Sequence, residues 1–455
     1  MTHSKTKFQV LKSELPPTLR LAMPVALTQL GQMLMALVDT FMVGKLGAAA
    51  VGGVSIGNAV FYAVAIFGMG ILLGLDYLVS HAYGRKALDE CHHWLVQSVY
   101  VTFIISIPLF IILFIITFYL DSFGIDPQVV KEAQPFLQIL ILNLLPFLLF
   151  SAFRQYLQAM NDPSMITVIM ILANLANAFL NWIFVFGNWG APQLETAGSA
   201  LATTITRTLM LVLLIAYTLW QDRRKNLGLI NTSWKPKFLN IKKLISLGLP
   251  AAFQLLFEVA VFSLATTLTG RLGAIPLAAH TIVLNIASFT FMVPFGISSA
   301  AAVRVGQAIG KGNHDEARHA GWTSIFLAGS FMTLSAIFLY VFRDFLIGLF
   351  ISDEQVIKSA IEILILAALF QVSDGLQTVG TGALRGLSDT QSAMYANLVG
   401  HWLIGLPIGY YLCFTKGFAI TGLWTGLTLG LTLVAIAVTW QWARLSKTVI
   451  KLQKT

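Results

Sequence analysis

The chain has 455 residues, 57% of them hydrophobic and 11% charged, with a formal net charge of +9. Soluble domains carry about 25% charged residues, so a chain this apolar cannot cover a water-facing surface and lipid must be its main solvent. Its two cysteines, Cys91 and Cys413, fall at opposite membrane faces on the topology below, which excludes a disulfide framework.

Residues 1–20 read as a basic cytoplasmic tail leading directly into the first span, with no cleavable leader. A bilayer-spanning helix needs roughly 20 mainly apolar residues. Twelve such segments are predicted, near 18–43, 52–80, 94–120, 133–156, 164–187, 197–220, 245–269, 280–303, 321–343, 358–384, 392–414 and 421–443. The expected fold is therefore an all-α integral membrane protein.

Lys and Arg set the orientation, because loops on the cytoplasmic side carry the excess. The N-terminal tail, the 6–7 loop from Arg223 to Lys243 and the C-terminal tail are basic, and Arg85, Lys86, Arg154, Arg304, Lys311, Arg318 and Arg385 are assigned to loops on the same side. Together these hold 22 of the 29 basic residues, against Lys45, Lys131, Arg271, Arg343, Lys358 and Lys416 on the other side. Both termini are expected in the cytoplasm of a multi-pass inner-membrane protein. The positive charge is thus an orientation signal and implies no nucleic acid.

A shift of 226 residues superimposes the two halves. Pro24 falls on Pro250, Gly44-Lys-Leu-Gly47 on Gly270-Arg-Leu-Gly273, and Asp89-Glu90 on Asp315-Glu316. With one extra residue, Gln128-Val-Val-Lys131 meets Gln355-Val-Ile-Lys358 and Asp162 meets Asp389. Glycines, prolines and charges do the matching, which shared apolarity cannot explain. Six spans per half give both copies the same orientation, so the expected architecture is two parallel-related six-helix lobes around a central cavity. The lobes are expected at residues 1–225 and 245–455, joined by a cytoplasmic linker at 226–244.

Ionisable residues inside a bilayer cost about 2.5–3.5 kcal/mol or more and mark functional sites by default. Asp39 in span 1, Glu258 in span 7 and Asp374 in span 10 stand out. Each lies on a polar stripe at helical spacing: Gln29, Gln32 and Asp39; Gln254 and Glu258; Gln371, Asp374, Gln377, Thr378 and Thr381. None of the three carboxylates is kept in the other half, so the scaffold is symmetric while the charges are not. Supporting polar residues are Asn174, Asn177 and Asn181 on one face of span 5, and His280 and Asn285 at the start of span 8. For the asparagines, interhelical hydrogen bonding is an equal account; His280 fits a satisfied core histidine. His401, the repeat equivalent of Asn174, fits either role. Asp76, near the cytoplasmic end of span 2, is expected to be solvated at the interface.

Aromatic residues make up 12% of the chain. A cleft of Phe, Met and Tyr around a carboxylate suits a lipophilic cation, combining adaptable apolar area with attraction for positive charge. A carboxylate that holds either a proton or a cation, never both, is a sufficient basis for antiport.

These residues resemble the multidrug and toxic compound extrusion (MATE) transporters, in their bacterial NorM-type branch, over essentially the whole chain. The likeness rests on Pro24 with Val38-Asp39-Thr40 and Met42-Val-Gly44, on Leu180-Asn-Trp-Ile-Phe-Val-Phe-Gly187, on Pro250 with Phe257-Glu-Val259, on Ala278-Ala-His280, and on Asp374 with Leu384-Arg-Gly386. The resemblance implies a secondary multidrug antiporter that exports lipophilic organic cations and drugs in exchange for Na⁺ or H⁺. A monomer with no cofactor beyond the coupling ion is expected. The resemblance implies that Glu258 and Asp374 form a C-lobe cation site able to take Na⁺. It implies that Asp39 is an N-lobe carboxylate, with Asn177 beside it. Phe370 stands where relatives can carry a tyrosine one turn before the aspartate, which removes one oxygen ligand.

Two other classes compete. A lipid-linked saccharide flippase would favour a cavity of buried arginines, for which Arg207 in span 6 is the one span-interior candidate. A polytopic membrane transferase would need clustered acidic or His/Asp motifs, which His92-His93 and Asp89-Glu90 supply only loosely.

Overall fold

The computed structural model describes the backbone of residues 7–454, and side chains from Ser13 to Thr448 except Phe123. Among the described residues the chain is all-helical, and 12 helices are long and apolar enough to cross a membrane. They are α1 Ser13–Gly44, α2 Ala48–Gly84, α3 Leu88–Phe118, α4 Pro127–Ala159, α5 Ser164–Phe186, α6 Glu195–Lys225, α7 Phe238–Gly270, α8 Ala274–Gly310, α9 His314–Val341, α10 Glu354–Gly386, α11 Gln391–Thr415 and α12 Ala419–Thr448. Most run several residues past the apolar segments, because interfacial and loop-side turns stay helical.

Two compact units form, one of residues Leu27–Ala252 and one of residues up to Ala26 with Phe253 onwards. The change-over falls inside α1 and inside α7, two residues after Pro24 and after Pro250, both interior to their helices. A helix-interior proline deletes a backbone hydrogen bond and crowds the preceding turn, so each repeat has a weak point at the same place.

The first turns of α7 pack within the N-terminal unit and the first turns of α1 within the C-terminal one. Repeat-related glycines mediate both contacts. A Cβ on Gly70 of α2 would lie 2.4 Å from the Ala252 Cα, and one on Gly296 of α8 would lie 2.8 Å from the Ala22 carbonyl oxygen and the Ala26 nitrogen. Ala26 and Ala252 are themselves repeat equivalents, so the duplication extends to individual contacts. Gly70→Val or Gly296→Val is expected to destabilise by about 1–3 kcal/mol, since backbone cannot yield as a side chain can. Thermal unfolding of the purified variants measures this, and an unchanged midpoint would refute the close approach.

The segment between α6 and α7 is stitched to the N-terminal unit. Asp222 accepts from the backbone nitrogens of Leu229 (2.7 Å) and Ile230 (3.0 Å). Gln97 of α3 donates to the Lys235 carbonyl at 3.1 Å and accepts from the Lys237 nitrogen at 2.8 Å. At the loops after α4 and α10, the equivalent Asp162 and Asp389 accept from Gln221 and Gln441, on the last helix of each half.

Several charges lie elsewhere than their spacing suggests. Arg154, Arg304, Arg318 and Arg385 are not in loops but within α4, α8, α9 and α10. Arg304 is bound to Glu14 (2.5 Å) and to the Thr18 hydroxyl (2.7 Å). Asp76 is not solvated at an interface: it is only 1% exposed. The charge of Arg154 compensates it from α4, while the Arg154 guanidinium donates to Gln29 Oε1 at 2.9 Å.

Candidate functional site

In the N-terminal unit, Asp39 is buried near the far end of α1 and gathers three donors from two other helices. Asn177 Nδ2 (3.1 Å) and Asn181 Nδ2 (2.7 Å) of α5 reach Oδ1, and the Thr203 hydroxyl of α6 reaches Oδ2 at 2.8 Å. The two asparagines meet one carboxylate because they lie one turn apart on one face. Asn174, one turn before Asn177, does not join them; its amide donates to the Met170 carbonyl of its own helix at 2.9 Å. Thr203 was absent from the sequence-derived set. Its signal was the stripe Ser199, Thr203, Thr206 on α6, masked by the ease with which helical threonines bond their own backbone.

Gln32, two turns before Asp39, lines a small cavity in the same unit, together with Met35, Phe147, Phe150, Met170, Arg207 and Met210. Arg207 lies one turn after Thr203. Its carbon Cζ sits 5.0 Å from the centre of the Phe147 ring and 5.7 Å from that of Phe61, and its Nη2 donates to the Tyr62 hydroxyl at 2.5 Å.

In the C-terminal unit, Glu258 of α7 accepts from Gln254 (3.0 Å) on Oε2 and from Gln377 of α10 (3.2 Å) on Oε1. Asn397 of α11 extends the chain by donating to Gln377 Oε1 at 3.4 Å. Asp374, one helical turn before Gln377, is buried within electrostatic range of Glu258. Two neighbouring negative charges, Asp374 buried and Glu258 half-buried, repel one another, so the pair can attract a cation. Uncommitted oxygens line the same stripe of α10: Gln371 Oε1 and the hydroxyls of Thr378 and Thr381 are buried without hydrogen-bond partners. A hard cation with oxygen preference, such as Na⁺, fits that donor set, as does a proton. Gln371 itself is held by α8, donating to the Thr290 hydroxyl at 2.6 Å. Phe370 fills the next turn, edge-to-face with Phe262 and Trp424, each 5.9 Å away.

His280 is a satisfied core histidine. Trp424 donates to its Nδ1 at 3.1 Å, which leaves Nε2–H to donate to the Thr266 hydroxyl at 2.9 Å. Asn285 is exposed and joins neither carboxylate. His401 is buried against Phe262 with both ring nitrogens unpartnered, on a π-helical stretch of α11, Leu398–Gly405. Such wide turns recur at functional positions.

Twelve spans in two repeat-related halves, each with a carboxylate held by amides inside the apolar region, define a polytopic carrier. The MatE family model matches residues 24–183 and again 250–411, the same offset of 226 at its start. The chain belongs to this family. It is 36% identical over 440 residues to a protein of Mesorhizobium japonicum named "Probable multidrug resistance protein NorM", covering 95% of this chain and 94% of that one. It is 32% identical over 446 residues to "Multidrug resistance protein MdtK" of Yersinia enterocolitica, covering 96% and 97%. The eukaryotic MATE transporter AtDTX14 shares the fold with a TM-score of 0.88 at 21% identity, over 98% of this chain and all of that one. An outward-facing multidrug resistance MATE transporter superimposes with a TM-score of 0.86 at 18% identity.

Proposed function

We propose that the chain is a secondary multidrug efflux transporter of the bacterial inner membrane, exporting organic cations and drugs in exchange for Na⁺ or H⁺ by alternating access. The names of its relatives supply the substrate class. The observation that carries the coupling reading is that Asp39 and Glu258 are held by amide and hydroxyl groups, with Asp374 buried within electrostatic range of Glu258. Among the described residues none of them forms an ion pair with Lys or Arg. A carboxylate with a permanent cationic partner has no need of a mobile one, whereas these three are left to be neutralised by what enters. Neutral donors hold Asp39 and Glu258 in place while leaving their charge to be met by an ion or by a cationic drug. Mutually exclusive occupancy by ion and drug then couples inward ion flow to outward drug flow.

The test is efflux from proteoliposomes of the full chain under a pure Na⁺ gradient and under a pure pH gradient. At least one of these is expected to drive export of ethidium at ten or more times the rate without a gradient. Equal rates with and without either gradient would refute secondary coupling.

A further inference from the structure

We propose that the connection from Arg223 to Lys243 is a docking surface for anionic phospholipid headgroups, seated at the membrane interface beside α3.

The stretch is basic throughout and carries no acidic residue. Arg223, Arg224 and Lys225 end α6, Lys235 and Lys237 lie in the connection, and Lys242 and Lys243 stand in the first turns of α7; all are exposed. Among the described residues none of them forms an ion pair. Asp222, the acid just before them, is buried and commits its oxygens to the backbone nitrogens of Leu229 and Ile230. An orientation signal needs only charge, whereas this backbone is also held in place. His92 Nε2–H donates to the Leu227 carbonyl at 3.0 Å, Gln97 grips Lys235 and Lys237, and the Tyr100 hydroxyl donates to the Trp234 carbonyl at 2.5 Å.

Helix α3 fixes the depth of this surface. Trp94, Gln97 and Tyr100, on successive turns, each meet the connection, Trp94 through Lys243, whose Nζ is 5.7 Å from the ring centre. One turn beyond Tyr100, Phe103 and Ile104 are exposed, and Ile107 after them, as lipid-facing residues of a span are. Three residues of helix rise about 4.5 Å, so Trp234 lies about one turn from where the acyl chains begin. That is the level at which tryptophans anchor and lipid phosphates sit. Phe238 and Leu239 are 80% and 76% exposed, on the loop side of Lys242 and Lys243. Such apolar side chains are poorly placed in water and well placed at the boundary between headgroups and chains. Bases interleaved with them at this depth recognise a phosphate that is attached to a lipid, since charge meets the headgroup while rings meet the upper chain. The first turn of α7 carries no acid, so the positive end of that helix reinforces the charge.

The test reads which lipid sits at Trp234 of the purified full-length protein. Brominated phosphatidylglycerol or brominated phosphatidylcholine is added to the protein in detergent, and the quenching that W234F lacks is the signal. The wild type is expected to prefer phosphatidylglycerol at least fivefold, and a variant combining K235Q, K237Q, K242Q and K243Q to bind both lipids within about twofold. A wild type without the preference, or a variant that keeps it, would overturn the proposal. Should the variant not fold, salt decides on the wild type. Raising NaCl from about 0.05 M to about 0.5 M must at least halve the preference, and an unchanged preference would overturn the proposal. Glycerol phosphate, the soluble headgroup, is the last arm. At concentrations equal to those of the lipid it is expected to leave the quenching unchanged; displacement would show a site for free phosphate and overturn the assignment to lipid.

Discussion

Glu258→Gln and Asp374→Asn are each expected to reduce gradient-driven ethidium efflux at least tenfold while leaving protein levels and thermal stability intact. The reasoning is electrostatic. Both substitutions preserve shape and remove a negative charge from a pair that repels itself across α7 and α10. If the pair existed for packing alone, breaking the polar network around Gln254, Gln377 and Asn397 would destabilise the protein along with any loss of transport. If it exists to attract a cation, relieving the repulsion leaves the midpoint of thermal unfolding unchanged or raised while transport is lost. That opposition of stability and function is the signature of a strained functional site. Paired measurements of ethidium efflux and unfolding midpoint distinguish the two. Undiminished efflux in either variant would remove that residue from the coupling mechanism.

The sequence shows the scaffold more clearly than the site. Twelve spans follow from apolar length alone, and the repeat follows from matched glycines, prolines and charges because those residues answer to backbone geometry. Pro24 and Pro250, matched in the repeat, lie two residues before the change-over between the units. The exchange of the first turns of α1 and α7 between units was not legible, because packing of Gly70 on Ala252 and of Gly296 on Ala26 depends on which helices meet. The three carboxylates were legible, since an acid in an apolar run has few innocent explanations. Their donors were only half so. Asn177 and Asn181 announced themselves by spacing, and Asn174 announced itself equally well yet turns to its own backbone.

Arginines were the poorest guide. Arg154 and Arg304 sit near span ends, where a charge-counting rule sends them to water. In the fold each finds an acid: Arg154 compensates Asp76 and Arg304 binds Glu14. A linear pattern carries no information on such pairings, since the partners lie on different helices. Arg207 was visible as a span-interior base, but the rings around it were not. The asymmetry between the halves now has chemical content. The C-terminal unit offers two repelling carboxylates with spare oxygens, and the N-terminal unit offers one fully dressed carboxylate.

Asp39→Asn is expected to abolish coupled transport, with gradient-driven ethidium efflux reduced at least tenfold and the fold retained. Asp39 Oδ1 takes two amide donors and Oδ2 takes the Thr203 hydroxyl. An asparagine can keep its carbonyl towards Asn177 and Asn181 and turn its amide towards Thr203, whose hydroxyl can rotate to accept. The network survives with one bond reversed, and the protein is expected to fold and to bind ethidium within about threefold of the wild type. What it loses is the option of a second charge state, so the N-terminal unit can no longer alternate between a free carboxylate and a neutralised one. Thr203 supplies a graded control: Thr203→Ser keeps the hydroxyl and is expected to transport like the wild type. Thr203→Val deletes the Oδ2 donor at nearly constant volume and is expected to transport several-fold more slowly. Efflux by Asp39→Asn at the wild-type rate under both a Na⁺ and a pH gradient would show that this carboxylate is structural and confine coupling to Glu258 and Asp374.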